Sequence, residues 1–343
     1  MKFGIFDHLD RRDEPFGKFY EDRLALAKAV EAAGFYSYHV AEHHGTPLGL
    51  APSPNLFLVA LARETKTLRF GPLVYLLPLY PPVRLIEEIC MLDQLSGGRL
   101  DAGVGRGVSP FEVACYGIDA KLSRPMFEEG LDIVLSGLTG KRLKHEGKFY
   151  RVADMPMIME PLQKPYPPLW YGAATVDSAR FAARYGMHCT TLGSNDRVQP
   201  LLKQYSALWA ETNNDPHRTG SPVSEPFIGL GRHIVIADTD AEAERLARSA
   251  YAYWWNSVTA LWREHNSAPQ TGMLIPTYEE AHQGGQVVAG TAERVRNELM
   301  TQAKLLSFNY LLAQFAFGNL SHTQEMKSLD LFARQVMPAL AKL

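Results

Sequence analysis

From residue 68 to residue 105 the chain reads LRFGPLVYLLPLYPPVRLIEEICMLDQLSGGRLDAGVG. Its first part (68–77) is rich in apolar residues, as in a buried strand, and the segment 83–95 has apolar residues at helical spacing. Gly97 and Gly98 end that helix, and residues 99–105 form the next short strand-like run. The stretch therefore predicts a strand, a helix and a second strand, which is the repeating unit of parallel α/β folds.

The same alternation continues towards both termini. Short apolar runs predict further strands at residues 2–6, 36–42, 169–173, 187–192, 227–237 and 309–317. Segments of helical period predict helices at residues 21–33, 55–64, 124–138, 176–185, 198–212, 241–264, 292–305 and 323–341. This alternation predicts one domain over residues 1–343, an eight-stranded parallel β/α barrel (TIM barrel), although a doubly wound open sheet shows a similar order.

Two connections are too long for simple barrel loops. Residues 106–168, after the fourth strand, contain one helix and several prolines, and residues 266–290, after the seventh, are polar and rich in glycine. We expect both to be insertions on the barrel rather than separate domains. The second follows a strand on the face where barrel active sites form, so we expect a mobile lid there, with an inert surface loop as the alternative.

Composition argues against several classes of function. The 343 residues carry a formal charge of −2 without runs of like charge, unlike nucleic-acid or membrane-surface binders. No apolar stretch is long enough to span a bilayer, and the N-terminus has acidic residues where a signal peptide would be apolar. The three cysteines are widely spaced and indicate neither a disulfide framework nor a CxxC site. We expect a cytoplasmic protein that binds neither nucleic acid nor a membrane.

The end of the second predicted strand carries Glu42, His43 and His44. Strand ends are where barrel enzymes place their catalytic groups, and an imidazole there can serve as a general base, a hydrogen-bond donor or a metal ligand. An ordinary polar loop is the alternative. The HExxH spacing is absent and the other histidines are scattered, so we expect no metal.

Two further strand ends are candidates for binding an anion. Arg106 lies between glycines after the fourth strand, where its guanidinium could contact a phosphate or a flavin ring edge, or simply lie at the surface. The run GAATVDS (172–178) leads from the fifth strand into a helix N-terminus, where Thr175 and Ser178 could help to bind an anion. A helix cap without a ligand is equally consistent with that run. Trp254 and its aromatic neighbours could line a pocket or belong to the core.

Together these stretches resemble the bacterial-luciferase-like flavin monooxygenases over nearly the whole chain. The matching runs are MKFG (1–4), AGF (33–35), AEHH (41–44), LP (77–78), PVR (82–84), LDQLSGGR (92–99), GRG (105–107), AARYG (182–186) and GT (290–291). The resemblance implies a barrel that binds reduced FMN and uses oxygen to oxidise a small organic substrate. A separate NAD(P)H-dependent flavin reductase would supply the reduced FMN.

The resemblance also implies roles for particular residues. His43 would lie beside the flavin and support its reaction with oxygen and the proton transfers. The cofactor would be held by Glu42, Leu73, Val74, Arg106, Ala173, Ala174, Thr175 and Ser178, with Arg106, Thr175 and Ser178 at its phosphate. Leu73 and Val74 match the place where the third strand backs the flavin ring, often through a cis peptide bond, and His44 and Trp254 would line the substrate pocket. Luciferase itself has a cysteine where Gly105 stands, which puts light emission in doubt.

Family members pair through the helix at residues 84–95, so we expect a homodimer. The helix has apolar residues on more than one face, including Leu85, Ile86, Ile89, Met91 and Leu92. Two other functions remain open at this point: a deazaflavin-dependent hydride-transfer enzyme on the same barrel, and a non-catalytic flavin-binding subunit.

Overall fold

The computed structural model describes residues 1–269 and 272–343. Its strands are β1 (Lys2–Asp7), β2 (Ser37–Val40), β3 (Arg69–Pro72), β4 (Tyr75–Leu76), β5 (Ala102–Gly105), β6 (Arg142–Glu146), β7 (Arg151–Pro156), β8 (Leu169–Gly172), β9 (His188–Thr191), β10 (Ile228–Ile236), β11 (Val287–Gly290) and β12 (Tyr310–Gln314). Its helices are α1 (Phe16–Ala32), α2 (Pro54–Glu64), α3 (Pro82–Ser96), α4 (Pro110–Cys115), α5 (Ser123–Thr139), α6 (Val176–Arg184), α7 (Asn195–Glu211), α8 (Pro216–Thr219), α9 (Asp240–Val258), α10 (Ala260–Glu264), α11 (Tyr278–Gln283), α12 (Ala292–Leu306), α13 (His322–Leu331) and α14 (Met337–Leu340).

The main sheet is parallel and curls into a barrel. Its strands follow the order β3-β2-β1-β12-β10-β9-β8-β5-β4, and a parallel bridge between Phe70 and Leu100 brings β3 back to the residues just before β5. The barrel prediction is therefore confirmed, and the open doubly wound sheet is wrong. The strand predicted at 68–77 is interrupted after Pro72, where β3 ends; two residues, Leu73 and Val74, separate it from β4.

The strands of the main sheet are buried on both faces, since helices cover the outside and side chains fill the inside. All nine residues of β10 are buried. Gly71 and Gly103 lie where β3 and β5 come together, and a Cβ on either would overlap a backbone carbonyl oxygen of the opposite segment. The glycines in FGP and AGVG thus allow the two strands to approach.

The prediction of a loop over residues 266–290 is wrong for the second half of this segment. Residues 278–283 form α11, and Val287–Gly290 form β11, a buried ninth strand that pairs in parallel with His233–Ile236 of β10. Residues 270 and 271, inside the expected lid, lie outside the described residues, so the lid stays a prediction for the first half only. The other long connection, 106–168, holds α4, α5 and the antiparallel hairpin of β6 and β7.

Candidate active site

A cavity of about 360 Å³ opens at the carboxyl ends of the barrel strands. Barrel enzymes bind their substrates at this end because the βα loops meet there. The cavity is lined by all the residues predicted for the site except His44: Glu42, His43, Leu73, Val74, Arg106, Ala173, Ala174, Thr175, Ser178 and Trp254. The structure thus brings together residues that are spread over more than half of the sequence.

His43 follows β2 and is held by a carboxylate from the insertion after β5. Its ring Nδ1 lies 3.1 and 3.2 Å from the two carboxylate oxygens of Glu112 in α4. Burial by itself would lower the pKa of His43, but the charges of Glu112, Glu42 and Asp10 together raise it above its ordinary value. The surrounding carboxylates therefore favour the protonated form of a histidine that lines the cavity.

His44 points away from the cavity and supports Glu42. Its Nε2 lies 2.9 Å from Glu42 Oε1, and its Nδ1 lies 2.8 Å from the hydroxyl of Tyr116. The second oxygen of Glu42 accepts hydrogen bonds from the backbone N–H of Leu76, at 3.1 Å, and from the hydroxyl of Tyr80, at 2.8 Å. The structure gives no support to a substrate contact by the His44 side chain, because both of its nitrogens are engaged elsewhere.

The opposite end of the cavity suits an anion. Arg106 is exposed and, across residues 1–269 and 272–343, forms no ion pair. Thr175 caps α6: its hydroxyl accepts from Ser178 N–H, and Ser178 Oγ accepts from Thr175 N–H at 2.9 Å. The cap predicted as the alternative is thus present, and it presents the first turn of a nine-residue helix to the cavity. Arg124 of α5 lines the same end and was not identified from the sequence.

Strand residues form one wall. Leu73 and Val74 lie between β3 and β4, and the peptide bond that joins them is cis, as the resemblance led us to expect. The Val74 side chain lies against the backbone of Gly105, where a larger residue would clash. Ala173 and Ala174 connect β8 to α6 and line the cavity, and their small side chains leave room for a ligand there.

Several buried polar atoms of the cavity lining have no hydrogen-bond partner among the residues that the structure describes. They are His8 Nδ1, Thr190 Oγ1, Trp254 Nε1 and Gln286 Oε1. Burial and the nearby His43 and His233 lower the pKa of His8 well below its ordinary value, so its ring is neutral. Buried polar groups are normally paired, and an unpaired set around one cavity indicates the place of a polar ligand.

Sequence reasoning missed Glu112, Arg124, His8, Thr190 and Gln286. Glu112 and Arg124 lie in the long segment that we treated as an insertion, and Gln286 lies in the stretch taken for a loop. His8 could have been found, because it follows β1 at the same barrel end as His43. Thr190 is an ordinary strand residue, and only the closed barrel shows that it faces the cavity.

The fold and the site define an α/β barrel with a histidine–carboxylate pair and, in the same cavity, an end whose groups are suited to an anion. Residues 1–307 match the family model of the luciferase-like monooxygenases. The chain belongs to this family, and it is an oxidoreductase.

Two relatives illustrate the similarity. An uncharacterised protein, y4wF, of Sinorhizobium fredii is 39% identical over 93% of this chain and 92% of its own length. The oxygenase component of the flavin-dependent trigonelline monooxygenase of Acinetobacter baylyi is 26% identical over 100% of this chain and 96% of its own length.

Two solved structures have the same fold. The monooxygenase RslO1 of Streptomyces bottropensis is 25% identical and superposes with a TM-score of 0.82, covering 98% of this chain and 99% of its own. The oxygenating constituent of 3,6-diketocamphane monooxygenase of Pseudomonas putida, solved in complex with FMN, has a TM-score of 0.79 at 21% identity and covers 98% of each chain.

Among the described residues, no cluster of His, Cys, Asp and Glu side chains could hold a metal ion. Within the same residues, no helix is both long and apolar enough to cross a bilayer.

Proposed function

We propose that this protein binds reduced FMN in the cavity and uses it with molecular oxygen to oxidise a small organic substrate. The observation that carries the proposal is the set of unpaired buried atoms on His8, Thr190, Trp254 and Gln286. A flavin ring has both N–H donors and carbonyl acceptors along its rim, so it can pair with such atoms where an apolar ligand would leave them unsatisfied. A relative named as flavin-dependent and a structural neighbour with bound FMN support the same cofactor.

The phosphate of FMN would lie at the end formed by Arg106, Thr175 and Ser178. A guanidinium without an acidic partner can turn its full set of donors to a phosphate, and the first turn of α6 adds backbone N–H groups and the positive end of a helix dipole. Arg124 would add a second positive charge from α5.

The ring would lie between the wall of Leu73 and Val74 and the histidine side of the cavity. Bound reduced FMN supplies the electrons that activate oxygen. His43 would hold or deliver a proton from its cavity-facing nitrogen, and Trp254 would contact the substrate. The buried lining keeps bulk water away from the reacting atoms.

We propose that a separate NAD(P)H-dependent reductase supplies the reduced FMN. The trigonelline relative is named as an oxygenase component, which is consistent with a partner of this kind. Three free cysteines, one of them exposed, are compatible with a cytoplasmic protein. The family description and this relative favour oxygen activation over deazaflavin-dependent hydride transfer, and the His43–Glu112 pair in the cavity favours an enzyme over a non-catalytic subunit.

Two substitutions test this assignment. H43A should still bind FMN but lose about 10²–10⁴-fold in substrate oxidation, because a positioned imidazole contributes about that much through proton transfer. R106A should mainly weaken FMN affinity, since it removes a phosphate ligand. Calorimetric titration with FMN and oxygen uptake with chemically reduced FMN across a substrate panel measure the two effects.

Controls are available on the hairpin of β6 and β7. H145A and R142A remove a histidine and an arginine that do not line the cavity, and both should behave like the wild type. Unchanged FMN affinity in R106A would remove the phosphate assignment, and full turnover in H43A would remove the catalytic one.

A further inference from the structure

We propose that Glu112 is a positioning residue, which fixes the ring of His43 so that Nε2 faces the cavity and is the nitrogen that exchanges its proton. Nε2 would then accept a hydrogen bond from the bound ligand in the neutral ring and donate one in the charged ring. The inference rests on the proposed function for the identity of the ligand, which would be the flavin or its substrate. The effect of Glu112 on the ring of His43 does not depend on that identity.

The contacts fix the ring in one orientation. Both oxygens of Glu112 lie within hydrogen-bond distance of His43 Nδ1, and Oε2 also accepts the backbone N–H of His44 at 3.0 Å. The carboxylate thus joins the ring to the backbone next to it. Because Nδ1 is engaged by Glu112, Nε2 is the ring nitrogen left for a ligand; among the described residues it has no hydrogen-bond partner.

Glu112 is itself held firmly. Its side chain is only 4% exposed, and it occupies the third position of α4, where its backbone N–H donates to Ser109 Oγ. From the outer side, the ring of Phe111 stacks on His265 with centroids 4.3 Å apart and meets Trp262 edge-on. The Ser109 cap and the Phe111 contacts hold α4 in place, so its buried carboxylate is suited to fixing the orientation of the His43 ring, as preorganised sites require.

The chemistry of the pair determines which nitrogen exchanges its proton. An ionised carboxylate can only accept, so Nδ1 must carry a hydrogen in both the neutral and the charged ring. The proton that comes and goes is therefore the one on Nε2. Without Glu112 the neutral ring would be free to place its single hydrogen on either nitrogen.

The other titratable groups facing His43 do not replace the influence of Glu112 on the protonation of the ring. His8 lies next to it, with ring centroids 5.7 Å apart, but its ring is neutral and supplies no charge that would favour the protonated form of His43. Glu42 and Asp10 favour the charged ring through space, but Glu112 is the strongest favourable influence and the one in direct hydrogen-bond contact. Removing the Glu112 charge should therefore lower the pKa of His43.

The experiment is an NMR titration of the flavin-free protein with ¹⁵N-labelled histidine, in which the His43 signals are those missing from H43A. In the wild type, the neutral form of the ring, reached above the titration midpoint, should carry its hydrogen on Nδ1. In E112Q the titration midpoint should fall by about one to three pH units, the range for loss of an opposite charge at this distance, and the neutral ring should lose its preference for Nδ1. E112D retains the charge and should keep a raised midpoint.

Glu129 offers a matched control, since its Oε1 lies 3.1 Å from His145 Nε2 in a second histidine–glutamate pair away from the cavity. E129Q should leave the His43 signals unchanged. If E112Q does not fold, E112D decides the matter: a midpoint equal to that of an exposed histidine would overturn the proposal. An unchanged His43 midpoint and hydrogen position in folded E112Q would do the same.

The two proposals fail separately. If E112Q changes the His43 ring as expected while H43A keeps full turnover with reduced FMN, the positioning effect is real and the proposed function is wrong. If H43A is inactive while the ring of E112Q titrates as in the wild type, the catalytic assignment stands and the inference about Glu112 is wrong.

Discussion

Burial shifts the pKa of single residues inside the barrel towards the neutral form of each side chain. Burial lowers the pKa of His39 and of His233 to about 3, so both rings are neutral. Asp10, in the loop after β1, moves in the other direction: burial raises its pKa to about 7, outweighing the hydrogen bond from Gly318 N–H. The interior thus disfavours these buried charges, whereas the carboxylate of Glu112 raises the pKa of His43.

Asp10 gives a prediction about stability. Between its ordinary pKa of 3.8 and its folded value of about 7, the folded protein holds a proton that the unfolded chain releases, so rising pH lowers the free energy of unfolding. D10N removes this dependence while its side-chain oxygen can still accept from Gly318. From pH 5 to pH 8, the stability of D10N relative to wild type should rise by about 1–3 kcal/mol.

Urea unfolding followed by tryptophan fluorescence at the two pH values measures this difference. Asp13, an exposed residue of the same loop, provides the control, and D13N should change the stability little at either pH. A relative stability of D10N that does not vary with pH would show that Asp10 is not the buried titrating group.

At this scale the sequence predicts some site residues and hides others for a physical reason. Arg106 follows β5 directly and His43 comes three residues after the end of β2, so knowing the strand ends is enough to find them. The role of Glu112 becomes visible only when α4 packs against the loop after β2, and that of Thr190 only when the curvature of the barrel decides which face of β9 lines the cavity. Contacts between segments far apart in the chain have no local signal.

Among the elements, β11 shows how a short strand can be overlooked. Its apolar run, Val287-Val288-Ala289, is flanked by Gly285 and Gly290 in a polar stretch and is too short to stand out as a strand. It becomes a strand because β10 extends beyond the residues that pair with β9, and the backbone groups of that extension pair with β11. The long strands and helices were predicted within a few residues because their periodicity is local.

The approach of β3 and β5 predicts an effect at the element scale. G103A would place a methyl group against the carbonyl of Pro72, and the backbone there cannot move without disturbing the adjoining cavity wall. We expect a loss of stability at the upper end of the range of about 1–3 kcal/mol for overpacking. Gly172, at the end of β8, has no atom within 4 Å of the position of an added Cβ.

The matched variant is therefore G172A, which should unfold at nearly the same urea concentration as wild type. Comparing the denaturation midpoints of the two variants separates a steric cause from a general intolerance of alanine in the strands. Equal midpoints for G103A and G172A would show that the close approach of β3 and β5 does not require a glycine at position 103.

For the whole molecule, the open question is how many copies assemble. Four of the residues offered as evidence for pairing, Leu85, Ile86, Ile89 and Leu92, are buried within the chain itself, so they say nothing about a partner. That part of the argument was wrong. What remains on the outer side of α3 is Met91, 49% exposed, and Leu95, 53% exposed, one turn apart.

These two residues still favour a homodimer. Leu56, 76% exposed, lies on the neighbouring α2, whose Asn55 donates a hydrogen bond to Glu88 of α3 at 2.8 Å. Exposed apolar side chains on two adjoining helices form a surface that a second copy of the chain can cover, so that like residues meet across a two-fold axis. We therefore predict that the protein is a dimer at micromolar concentration. Changing both Met91 and Leu95 to glutamate would bring like charges from the two copies into contact across this interface.

Sedimentation of the M91E/L95E double variant tests this surface. Burying like charges against one another in a two-fold interface is unfavourable, so the variant should sediment as a monomer while wild type sediments as a dimer. L305E alters a leucine of comparable exposure on α12, at 45%, and should leave the dimer intact. A monomeric wild type would reject the homodimer altogether, whereas a dimeric double variant would move the interface to another face of the barrel.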